Sequence, residues 1–120
     1  MSFQGKELGQ RAEEAAANFL RSKKFKILEQ NYTTKYGEID ILARDGKTLV
    51  VVEVKAKSSD KFGSAIEMIT MAKRKKLVLL TSFLQSERQI DNVRIDVVAV
   101  DNYATTPKLK HYKGVIELQI

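Results

Sequence analysis

The sequence predicts a single mixed α/β domain over residues 1–120, a mixed central sheet flanked by helices. The order is α-β-β-β-α-β, with one further strand at the end. Three observations carry this. Residues 37–57 read as two apolar strands joined by Asp45-Gly46, a pair suited to a two-residue type I′ hairpin turn. Residues 49–54 are almost continuously apolar, as a central strand covered on both faces would be. Segments of helical periodicity stand before and after these strands, and a meander followed by a helical crossover builds a mixed sheet.

The first element is an amphipathic helix over 5–23, in which Leu8, Ala12, Ala15, Ala16, Phe19 and Leu20 recur at three- and four-residue spacing. The small alanines would let it pack closely on a sheet. Glu13 and Glu14 read from spacing alone as solvated helix surface. Lys23 and Lys24 end the helix, where cations suit the negative end of its dipole. Residues 25–32 make the first strand, and the hairpin supplies the second and third. A polar loop, 58–63, leads to a helix over 64–86, with Ser64 as its cap and Glu67 completing a capping box. Ile66, Ile69, Ala72, Leu77, Leu80 and Leu84 give it an apolar face. A fourth strand covers 93–100. After a loop at 102–107, which holds the only proline, 108–120 reads as an edge strand. His111, the sole histidine, reads as a surface or packing residue.

Composition narrows the chemistry. With no cysteine, disulfides, thiolate metal sites and cysteine catalysis are excluded. No signal-peptide pattern opens the chain, and no apolar run approaches a membrane span. The expectation is a cytoplasmic protein without a membrane partner. No Gly-rich phosphate loop or nucleophile elbow is present. The formal charge of +6 favours a polyanionic partner, nucleic acid first. Lys73-Arg74-Lys75-Lys76 reads either as a phosphate-contacting patch or as a solvated helix face.

A type I′ turn at Asp45-Gly46 would set Arg44 opposite Lys47, Asp40 opposite Val51 and Glu38 opposite Glu53. With a side-chain period of two, Glu38, Asp40, Glu53 and Lys55 would share one face of the hairpin. Charges buried in an apolar segment need partners or a cation. Asp40 and Glu53 could hold Mg²⁺, which takes oxygen ligands from one or two carboxylates and keeps several waters. Lys55 could orient a water or offset charge developing on a phosphate. The competing reading is an internal ion-pair network of Lys55 with Glu53 and Glu38.

Asp40 followed by Glu53-Val54-Lys55 resembles the signature of the PD-(D/E)xK nuclease superfamily. The wider pattern resembles the bacterial YraN-like family, small proteins related to archaeal Holliday-junction resolvases. It comprises Glu13, Asn31, Gly37-Glu38-Ile39-Asp40, Val52-Glu53-Val54-Lys55, Phe62-Gly63, Lys73 and Arg94-Ile95-Asp96-Val97-Val98. The resemblance implies a restriction-endonuclease-like α-β-β-β-α-β core and a metal-dependent endonuclease acting on DNA, with branched or processed structures among its substrates. Mg²⁺ or Mn²⁺ is the implied cofactor. Asp40, Glu53 and Glu13 would be metal ligands and Lys55 the catalytic lysine. Glu38 belongs to the motif without an assigned role. Resolvase relatives act as dimers, which makes a homodimer a partner state to consider. Two departures stand out: Ile39 occupies the superfamily's proline position, as in the YraN-like family, and Ala12 replaces the family's usual glycine before Glu13.

Overall fold

The first helix, α1 (Gly5–Ser22), is held to the sheet by its smallest residues. Ala12, Ala16 and Ala17 are fully buried with Leu20, so the helix axis comes close to the strands. A Schellman motif ends it. The Phe25 amide donates to the Leu20 carbonyl and the Lys24 amide to that of Arg21. Lys24 takes the left-handed conformation at φ 71°, a position that favours glycine. Lys24→Gly is therefore expected to raise stability, by up to about 1 kcal/mol, in a denaturant melt. An equal or lower midpoint would contradict it.

The computed structural model describes residues 5–57, 67–101 and 108–118, the side chains of 5–8 and 57 excepted. The expected Ser64 cap, Ile66, Phe62-Gly63, the loop at 102–107 and the side chain of Leu8 lie outside the described residues. Among those described, five strands follow α1 in one sheet of order β1-β2-β3-β4-β5: β1 (Lys26–Thr34), β2 (Gly37–Asp45), β3 (Thr48–Lys57), β4 (Val93–Asp101) and β5 (Lys108–Tyr112). The β1–β2, β2–β3 and β4–β5 pairs are antiparallel, and β3–β4 is parallel. The second helix, α2 (Met71–Arg88), makes the crossover between β3 and β4. This is a mixed sheet with helices, as expected. No helix among the described residues is long and apolar enough to cross a membrane.

The two faces of β3 fill two cores. Leu49 and Val51 pack with Leu77, Leu80 and Leu84 of α2; Val50 and Val52 pack with α1. Burial on both sides is why this strand lacks polar alternation.

Three expectations are corrected. The hairpin pairs Asp45 with Thr48 and Ile41 with Val52, a shift of two residues from the expected register. The turn residues are Gly46 and Lys47, with positive φ at Gly46 only, the pattern of a type II′ rather than a type I′ turn. The start of α2 also moves. Residues 67–70 are non-helical, and Thr70, extended at φ −65° and ψ 158°, caps the helix by accepting from the Lys73 amide. A threonine one position before the first turn satisfies one of the otherwise unpaired first-turn amides. Ala72 is consequently exposed, while Ile69 is buried under the turn. Lastly, among the described residues from 108 onward only β5 pairs; residues 113–118 leave the sheet.

Candidate active site

The β2–β3 ladder ends at Ile41 and Val52. Continuing its register would bring Asp40 opposite Glu53, and here the side chains replace the backbone pairing. The Asp40 Oδ2 accepts the Val54 amide at 2.9 Å. The alternation of β2 breaks at the same level: Ile39 packs into the core under α2, whereas Ile41 packs under α1. On the neighbouring strand Asn31, between the residues paired with Ile41 and Ile39, has φ 51°. Asparagine is among the few residues that tolerate this conformation. These irregularities leave Asp40 in electrostatic contact with acids from both sides, Glu13 of α1 and Glu53 of β3.

The Asp40 and Glu53 carboxyl groups act on one another by charge and by hydrogen bonding, and both effects disfavour ionisation of Glu53. Burial, then the Asp40 charge and that hydrogen bond, push Glu53 up to about 7, against an opposing pull from Lys73. The Glu53 side chain is only 13% exposed, and its Oε2 lies 3.4 Å from Lys73 Nζ. Glu13 is half-buried. Its pKa is raised by desolvation and by the charges of Asp40 and Glu38, while a hydrogen bond from Asn31 lowers it.

By strand alternation Glu53 and Lys55 face α2. Both line a cleft of about 150 Å³, closed by Met68, Ile69, Thr70 and Lys73. The expected site residues thus fall into two linked groups. Glu53, Lys55 and Lys73 meet in the cleft. Asp40 joins them to Glu13, on which exposed Glu38 acts only through its charge. The expected single face for Glu38, Asp40, Glu53 and Lys55 does not form, because the strand kinks at Asp40. Among the described residues the ion pair to Glu53 comes from Lys73 rather than Lys55.

The run of cations is divided. Lys73 belongs to the cleft. The Arg74 guanidinium turns back to donate to the Ile69 carbonyl at 3.2 Å. Lys75 is exposed, and exposed Lys76 lies across Gly37: a Cβ there would come within 2.9 Å of its Cε. Gly37 also has φ 140°, a conformation that side-chain-bearing residues rarely adopt.

Two residues of the site, Lys73 and Asn31, stood in the resemblance pattern without a role in the acid cluster. Lys73 read as part of a run that was either a phosphate-contacting patch or a solvated helix face, and its place in the first turn of α2 pairs it with Glu53. Asn31 had no assigned role; its residue type, tolerant of positive φ within a strand, was the available signal.

Mg²⁺ needs only one or two protein carboxylates, so Asp40 and Glu53 fit it in number and in type. Two partly buried carboxyls that act on one another are also a pair that a dication can neutralise. Among the described residues no three His, Asp or Glu side chains are gathered closely enough to hold a metal by themselves.

A second polar centre lies under β5. Asp96, fully buried, accepts from Arg94 Nε at 2.7 Å and Nη2 at 3.0 Å, from His111 Nε2 at 2.8 Å and from the Gly114 amide at 2.9 Å. Burial alone would raise its pKa; the hydrogen bonds from His111, Arg94 and Gly114 outweigh it and hold the carboxyl below its ordinary value. The His111 Nδ1 lies 3.0 Å from Lys23 Nζ. An ammonium only donates, so Nδ1 accepts and Nε2 carries the proton given to Asp96. His111, with a side chain 1% exposed, is a packing residue.

A sequence model described as the uncharacterised protein family UPF0102 matches residues 12–100. A UPF0102 protein of Geobacter metallireducens is 37% identical over 120 residues, covering 98% of both chains. One from Desulforapulum autotrophicum is 44% identical, covering 83% of this chain and 84% of its own. One from Thermodesulfovibrio yellowstonii is 41% identical, covering 90% and 94%. The matched segment contains Glu13, Asp40, Glu53, Lys55, Lys73 and Asp96.

Proposed function

We propose that this chain, which belongs to the UPF0102 family, is a metal-dependent endonuclease with a restriction-endonuclease-like core. It hydrolyses phosphodiester bonds in DNA, branched or processed structures included. The observation that supports this best is a cleft in which Glu53 meets Lys55 and Lys73, with Asp40 acting on Glu53 from the neighbouring strand. A protein that only coated phosphates would have little reason to place acids there.

Asp40 and Glu53 would hold Mg²⁺ or Mn²⁺, with Glu13 adding charge from the α1 side. When bound, the ion supplies charge neutralisation and lowers the pKa of a water. Lys55 sits in the cleft where its ammonium can orient the attacking water and offset charge building on the phosphate. Lys73 holds the Glu53 carboxylate in place. Asn31 favours the charged form of Glu13 by side-chain hydrogen bonding.

The test is incubation of the pure protein with duplex, single-stranded, flap and four-way-junction DNA, with Mg²⁺ or Mn²⁺ and with EDTA. Cleavage is expected only with metal, and a Glu53→Ala or Lys55→Ala variant is expected to lose at least about a hundredfold. Activity that survives Glu53→Ala would belong to a contaminant and end the assignment. A second reading is a nucleic-acid-binding module that keeps the fold without turnover. The observation favouring it is that Asp40 already accepts the Val54 amide and that, among the described residues, no third acid joins the pair closely enough to hold a metal. It predicts salt-dependent binding with no cleavage under either metal.

A further inference from the structure

Beside the cleft, the β1–β2 turn rests on α2. Lys73 meets Glu53, Lys76 lies over Gly37, and Phe83 packs on Tyr36 with ring centroids 5.0 Å apart. One side of the helix therefore leads from the cleft to the turn. From Lys73 to Phe83 the rise is about 15 Å, on the order of four stacked nucleotides.

At the turn, aromatic rings and cations interleave. The Lys35 Nζ stands 5.3 Å from the Tyr36 ring centroid and 5.5 Å from that of Phe83. Nearby in the fold, the Arg88 guanidinium lies 5.7 Å from the Tyr32 ring. Tyr36 is 37% exposed, one of the few large apolar side chains on the described surface left open to water. The turn is also preset. The Thr34 hydroxyl accepts the Tyr36 amide at 3.1 Å and donates to the Gly37 carbonyl at 2.8 Å, so little order remains to be gained on binding.

We infer that this surface docks a single-stranded nucleic-acid segment, one base stacking on Tyr36 and the phosphates meeting Lys35 and Lys76 on the way to the cleft. An exposed ring among cations suits that ligand, because every base has a face and every link a phosphate. In a duplex the base faces are stacked on each other and do not reach a protein ring. An acidic peptide would use the cations and leave the ring idle. The inference rests on the proposed phosphodiesterase reading only for where the strand leads. The docking itself is measured without cleavage.

The experiment uses the full chain in EDTA and reads the fluorescence anisotropy of labelled oligothymidylate, oligouridylate, a duplex and an abasic strand, all of equal length. Tyr36→Ala is expected to weaken single-strand binding roughly 5- to 150-fold while leaving duplex binding unchanged. Tyr36→Phe, which keeps the ring face, is expected to bind as the parent does. The abasic strand, with phosphates but no bases, is expected to be blind to Tyr36→Ala. Lys35→Ala tests the same surface at an exposed residue and is expected to reduce the salt slope of single-strand binding by about 0.7. The abasic comparison and Lys35→Ala decide the matter should Tyr36→Ala unfold.

Equal losses for single strand and duplex would overturn the inference. So would equal affinity of the parent for abasic and base-bearing strands, or competition by polyglutamate as effective as that by oligothymidylate. A protein that cleaves nothing but shows the Tyr36 dependence loses the nuclease reading and keeps this one. A metal-dependent nuclease whose binding ignores Tyr36 does the reverse.

Discussion

Asp96→Ala is expected to destabilise the protein by about 3–5 kcal/mol, enough to lower Tm by on the order of 10–20 °C. The carboxylate is fully buried and accepts from Arg94, His111 and the Gly114 amide. Removing it leaves a guanidinium partly buried against the remaining acid, Asp45, and strands one imidazole N–H and one amide N–H without an acceptor. Each stranded donor costs about 1–3 kcal/mol. A matched apolar replacement of the whole network could be neutral; removal of its centre alone is not. The pH dependence has a definite sign. The Asp96 pKa is lowered from 3.8, so its contribution is full above that value and is lost as pH falls through the lower, folded-state value. Urea melts of the parent, Asp96→Ala, His111→Ala and the double variant would show strong non-additivity between the two sites. A loss below about 1 kcal/mol in Asp96→Ala would contradict this account of the network.

Glu53→Gln is expected to remove cleavage and, at pH 8 in EDTA, to make the protein more stable. Folding raises the Glu53 pKa from 4.5 to about 7. A carboxyl raised in this way favours the fold fully below 4.5, and that contribution is lost as pH rises through 7. Above this window the ionised group, largely hidden from water and facing Asp40, opposes folding by up to about 3 kcal/mol. Glutamine keeps the shape and can still donate to Asp40 without the charge. Denaturant midpoints of parent and variant should therefore coincide near pH 4.5 and diverge towards pH 8, in the variant's favour. Adding Mn²⁺ should then stabilise the parent and not the variant, since only the parent retains both carboxylates. A variant no more stable than the parent at pH 8 would show that the acid pair carries no such strain.

Much of this arrangement was legible in the sequence, for reasons that differ by element. The helical spacing of Ala12, Ala16 and Leu20 marked α1, because a one-sided apolar stripe has few other uses. Strand β3 was evident from its continuous apolar run. The hairpin register was misread by two residues, since both Asp45-Gly46 and Gly46-Lys47 provide a glycine for a tight turn. An even slip keeps every side chain on its face, so Glu53 and Lys55 still met in one cleft. The same slip changed the directly opposed residues, putting Asp40 rather than Glu38 level with Glu53. The start of α2 was hidden by Ser64 and Glu67, which imitate a cap as well as Thr70 does. The kink at Asp40 and the Asp96 centre were beyond local reasoning. Both depend on residues far apart in the chain: Asn31 acts on Glu13, and His111 acts on Asp96.

The ends of the sheet bear on how two copies could meet. Strands β1 and β5 are its borders, where open backbone groups invite another strand to add. Along β1 the pairing slips by one residue at Leu28, and Asn31 turns the backbone into the left-handed region, so the outward row of amides and carbonyls is interrupted twice. Along β5, Lys108 and Lys110 stand exposed, and a strand lying beside its own copy would bring these like charges together. Both borders thus refuse growth of the sheet. Pairing of two copies by strand addition is disfavoured at either border.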